Sequence, residues 1–95
     1  MKELILDANG WQNEDDVYDA FFRAVGAPEW HGRNFNALRD SIQGGLINEI
    51  EVPYRIHVVN AENIGREAKR MLDDFSDLIQ ELADEGCEVG MQIDG

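Results

Sequence analysis

The sequence predicts an α/β fold, a small three-stranded parallel sheet with packed helices in the order β-α-α-β-α-β. Three observations predict it. Short runs of strand-forming residues occur at 4–6, at 56–59 and, alternating, at Val89, Met91 and Ile93. The stretches between them repeat apolar residues at helical spacing, and Gly or Pro punctuates the junctions. Helices lying between strands imply right-handed crossovers and parallel pairing, although periodicity alone leaves an antiparallel last strand open. A length of 95 residues sets one domain over 1–95 as the expectation.

The elements follow in order. Leu4 to Leu6 is too short an apolar run for a helix, and the Asp7-Ala8-Asn9-Gly10 turn cluster closes it as a buried first strand. Asn13 reads as an N-cap, with Glu14, Asp15 and Asp16 filling a first turn where acids complement the helix dipole. Val17, Ala20, Phe21, Ala24 and Val25 form the apolar stripe of that helix, which Gly26 and Pro28 stop. Asn34 can cap a second helix, ended by Gly44 and Gly45, whose core stripe is Phe35, Leu38 and Ile42. Its opposite face presents Asn36, Arg39, Asp40 and Gln43. Beyond Pro53 comes the second strand, and 66–85 then reads as a long helix with Ala68, Met71, Phe75, Leu78 and Leu82 as its stripe and Gly86 as its cap.

Charge is the outlier of the composition. Eight Lys and Arg face twenty Asp and Glu, for a formal net charge of -12. Such a molecule repels phosphate backbones, which argues against direct binding to nucleic acid, and it attracts basic proteins by electrostatic steering. Solubility or salt adaptation would also account for the acidity. The N-terminal apolar run is too short for a signal peptide, and no stretch approaches the roughly 20 apolar residues that cross a bilayer. Cys87 is the single cysteine, so no internal disulfide forms, and the cytoplasm is the expected compartment.

Catalytic signatures are missing. The chain carries no nucleophile elbow, phosphate-binding glycine loop, dinucleotide fingerprint or zinc-protease helix. His31 and His57 are the only histidines, and their separation offers no local metal-ligand spacing. Each reads better as a core or surface residue than as a ligand, and Cys87 as a small buried hydrophobe at the start of the last strand. No enzyme activity, cofactor or metal is expected. The long helix holds one oddity. Arg66, Lys69 and Arg70 begin it, while Asp73, Asp74, Asp77, Glu81, Asp84 and Glu85 follow, a polarity that opposes the helix dipole. Either that acidic end is a patch directed at a basic partner, or it is a solvated face.

The stretch Pro28-Glu29-Trp30-His31-Gly32-Arg33-Asn34-Phe35-Asn36-Ala37-Leu38-Arg39-Asp40 resembles the barstar family, intracellular inhibitors of barnase-type ribonucleases. The family pattern is Pro, acid, aromatic, any, Gly, any, Asn, apolar, acid, Ala, Leu, any, Asp. Gly32, Asn34, Ala37, Leu38 and Asp40 fall in register with it. Glu81 through Cys87 is a second match, where the family has an acidic helix end, Glu-Gly-Cys and the last strand. The order of elements is also similar.

The resemblance implies a ribonuclease inhibitor, in the manner of an immunity protein or antitoxin, that plugs the active site of a basic secreted or toxin-type ribonuclease one-to-one. It assigns to partner binding Trp30, His31, Asn36, Arg39, Asp40, Gln43, Gly44 and Glu81. Asp40 corresponds to the family's central acid, whose carboxylate imitates a substrate phosphate. Glu81 corresponds to an acid on the last helix, and Trp30 to an aromatic anchor. Asn36 stands where barstar has a second acid, Arg39 replaces an aromatic, and the segment 44–53 is longer than its barstar counterpart. These departures leave a second reading, a barstar-like binding module whose partner is not a nuclease.

Overall fold

The computed structural model describes residues 2–27, 34–43 and 52–94. The order is β1 (Lys2–Asp7), α1 (Glu14–Val25), α2 (Phe35–Gln43), β2 (Tyr54–Val59), a single 3-10 turn (Ala61–Asn63), α3 (Arg66–Asp84) and β3 (Val89–Ile93). The sheet order is β1-β2-β3, and both pairings are parallel, which settles the direction of the last strand. Leu4 pairs with Ile56 and Ile56 with Met91, so these side chains share one face.

That face is the core. Leu4, Leu6, Tyr54, Ile56, Val58 and Val89 are buried beneath Val17, Phe21 and Val25 of α1 and Leu72, Phe75, Ile79 and Leu82 of α3. Each fully buried large apolar side chain contributes about 1.5–3 kcal/mol. Phe21 and Phe75 lock the two helices together, their rings meeting edge to face with centroids 5.2 Å apart. The other face of the sheet carries Ile5, which is 62% exposed, with Glu3, Arg55, His57 and Gln92 around it. The helices therefore form one layer against one side of the sheet, rather than surrounding it.

Local signals set the boundaries. The Asn13 side chain accepts from the Asp16 N–H at 3.1 Å, and Asp16 Oδ2 accepts back from the Asn13 N–H at 3.4 Å, a reciprocal cap on α1. Gly26, at φ 71°, ends that helix, with the Ala27 N–H reaching the Phe22 carbonyl. Gly86, at φ 99°, does the same for α3, where the Gly86 and Cys87 N–H groups reach the carbonyls of Ala83 and Leu82. β2 begins at Tyr54, two residues before the β-branched run, because Tyr54 pairs with Lys2 and Val89. β3 begins at Val89, leaving Cys87 partly buried in the cap of α3 and not in the strand. Burial, then the nearby Glu85 and Glu88 charges, push its thiol pKa up, away from thiolate reactivity.

Candidate functional site

Helix α2 is built for two duties. Its start is fixed by Asn34, whose Oδ1 accepts from the Ala37 N–H at 2.8 Å. One turn later the pattern divides. Ala37, Leu38, Ser41 and Ile42 are buried, while Asn36, Asp40 and Gln43 are exposed and Arg39 lies between. The polar face expected from spacing therefore exists, held by the apolar one. Phe35 departs from the expected stripe. It is 38% exposed, since it is the first helical residue and overhangs the edge of the core that Leu38 and Ile42 fill.

Arg39 crosses from α2 to α3. Its guanidinium lies 3.2 Å from Glu81 Oε1 and 3.6 Å from Glu85 Oε2, so one cation spans two acids placed one helical turn apart. Beside this bridge a groove of about 300 Å³ runs between the helices. Phe35 and Leu78 give it apolar walls, and Asn36, Asp74, Asp77 and Glu81 give it a polar rim. The acids of α3 are thus sorted by face. Asp74, Asp77 and Glu81 turn to the groove, whereas Asp73 pairs with Lys69 at 2.9 Å and Asp84 accepts from Gln80 at 3.1 Å.

Of the residues singled out from sequence, Arg39 and Glu81 touch, Asn36 lines their groove, and Asp40 stands on the same helix with its carboxylate unpartnered among the described residues. Gln43 borders a different, shallow depression together with Val52, Pro53, Gly86, Cys87 and Glu88. Trp30, His31 and Gly44 lie outside the described residues. The sequence reading missed the pairing of Glu85 and the groove positions of Asp74 and Asp77. The spacing 74, 77, 81, 85 places all four on one side of a helix and carried that signal.

His57 sits apart from this site, on the face of the sheet that no helix covers among the described residues. Glu3 Oε1 lies 3.3 Å from its Nδ1, and Asp94 Oδ2 bonds its Nε2. Among the described residues no His, Cys, Asp and Glu cluster has the arrangement of a metal site, and no helix is long and apolar enough to cross a membrane. What α2 and α3 present together is a ledge of carboxylates interrupted by one guanidinium, an arrangement suited to holding another molecule's charged groups.

Comparison with known proteins gives this surface a context. The family model described as Barstar (barnase inhibitor) matches residues 1–93. A protein of Bacillus subtilis (strain 168) named "Putative ribonuclease inhibitor YrdF" is 26% identical over 85 residues, spanning 90% of this chain and 89% of that relative.

Proposed function

The chain belongs to the barstar family, and from that premise we propose that it is a ribonuclease inhibitor that occludes the active site of a basic ribonuclease one-to-one. The observation that carries this reading is Asp40, an exposed carboxylate on the outer face of α2 with no side-chain partner among the described residues. A carboxylate in that state is free to accept charge-assisted hydrogen bonds from the cationic groups that otherwise hold RNA phosphate. Asn36 beside it, and Glu81 across the groove, extend the contact surface, and the family resemblance adds Trp30, His31, Gln43 and Gly44 to it. The net charge of -12 supports rapid, salt-sensitive encounter with a basic enzyme. In this role the chain binds and does not catalyse. It acts in the cytoplasm as an immunity protein or antitoxin, touching neither nucleic acid nor membrane.

The test is RNA cleavage by a basic ribonuclease recovered by pulldown from the source cell, titrated with the purified chain at two salt concentrations. Equimolar inhibition that weakens as salt rises is expected. Asp40→Ala should weaken inhibition by tenfold or more. Truncating one partner of a buried interfacial charge pair costs about 2–5 kcal/mol, a range for which the barnase–barstar complex is itself a standard example. Inhibition by Asp40→Ala equal to that of the parent would remove Asp40 from the site. Arg39 favours a second reading, in which the partner is a non-nuclease protein with an acid of its own at this contact.

A further inference from the structure

We propose that Arg39 is a specificity-determining residue that acts as a built-in competitor, occupying within the free protein the place at Glu81 and Glu85 that a partner's cation would otherwise take. The proposal rests on the inhibitor reading for the partner, but on the geometry alone for the guard itself. The guanidinium lies 3.2 Å from Glu81 and 3.6 Å from Glu85, and it comes from the helix that also carries Asp40. Asp40, one residue on, is left without a side-chain partner among the described residues. The acids of this surface therefore fall into two kinds. Asp40 is open, whereas Glu81 and Glu85 are already answered from inside the chain.

This division selects partners. A ribonuclease that places a cation opposite Glu81 must first evict Arg39 into water or suffer like-charge repulsion, and unfavourable juxtaposition of this kind is how interfaces reject wrong partners. A ribonuclease that gathers its cations opposite Asp40 and offers an acid or a neutral group opposite Arg39 meets no such obstacle. The guard is displaceable, because all three side chains are partly exposed and exposed ion pairs are weak. It therefore grades affinity and does not close the site. The partner class that fits is a basic ribonuclease whose positive charge is concentrated at one end of the contact, opposite α2.

The experiment has two arms. Inhibition of barnase is measured for the parent, Glu81→Gln, Arg39→Ala and the double variant, with circular dichroism confirming that each is folded. The expected result is coupling: Arg39→Ala tightens inhibition, and Glu81→Gln weakens it at least about threefold more in the Arg39→Ala background than in the parent. Equal losses in the two backgrounds would overturn the proposal. In the second arm, exchange of the Arg39 Nη1 and Nη2 protons, the groups that face the two acids, is followed by low-temperature NMR in the free parent and in the Glu81→Gln/Glu85→Gln variant. Slower exchange in the parent supports the guard, and equal exchange overturns it whatever the nuclease assay gives. Failure of all four proteins to inhibit both barnase and the ribonuclease recovered from the source cell, with slowed exchange intact, would count against the inhibitor reading and leave the guard supported.

Discussion

Gly65 lies against the backbone of Gln12 so closely that a methyl group on it would sit 2.5 Å from the Gln12 carbonyl oxygen and 2.9 Å from its Cα. Its own N–H donates to the Trp11 carbonyl at 2.9 Å. The start of α3 is thereby seated on the β1–α1 loop, backbone to backbone. Gly65→Ala should destabilise the protein by about 1–3 kcal/mol, since a main-chain neighbour cannot swing aside as a side chain can. Chemical denaturation measures this, and an unchanged midpoint would contradict the close seating.

Tyr54 gives the opposite expectation. Its ring is wholly buried, its hydroxyl has no hydrogen-bond partner among the described residues, and burial, followed by the neighbouring Cys87, pushes its pKa far up. A buried donor left unpaired carries its desolvation penalty without return. Tyr54→Phe should leave stability equal or raise it by up to about 1 kcal/mol. A clear loss in thermal denaturation would mean that the hydroxyl is satisfied in solution.

His57 sets a pH dependence whose sign follows from its neighbours. The hydrogen bond to Asp94, then that to Glu3, raises the histidine pKa above its ordinary 6.5. Its contribution to stability is whole below 6.5 and is lost as pH rises through the raised value. Asp94 is lowered from 3.8, first by His57 and then by Gln92, so its contribution is present above 3.8 and disappears as pH falls through the lowered value. The cluster therefore stabilises most between pH 3.8 and 6.5. His57→Gln should flatten the decline of melting temperature on the alkaline side of that window. A parent and variant with parallel profiles would show that the cluster does not titrate as a unit.

Most of the architecture was legible because the signals were local. Asn13 with Asp16, Gly26 and Gly86 are chemical punctuation, and each ends or begins a helix where the sequence reading expected one. The stripe Met71, Phe75, Leu78 and Leu82 likewise needed only periodicity. Features set by tertiary placement were not legible. Phe35 has the spacing of a core residue, yet it stands where the core runs out. Periodicity gives a helix two sides but says nothing of how far its neighbours extend. The helices' gathering on one side of the sheet is a fact of the same kind. So is Arg39 with Glu81 and Glu85, since ion pairing between α2 and α3 depends on how two helices lie, and the chain separates those residues by some forty positions.

The side of the sheet that no helix covers among the described residues has a consequence for which positions tolerate substitution. Leu4, Leu6, Ile56 and Val58 point into the packed layer and are bound to their shapes. Ile5, Arg55 and Gln92 point the other way, with no helix above them among the described residues. Along β1 and β2 buried positions thus alternate with exposed or half-exposed ones. Substitutions at Ile5 and Arg55 are therefore expected to leave the packing of α2 and α3 intact, whereas those at Glu3, His57 or Asp94 would break the hydrogen bonds that this face does hold.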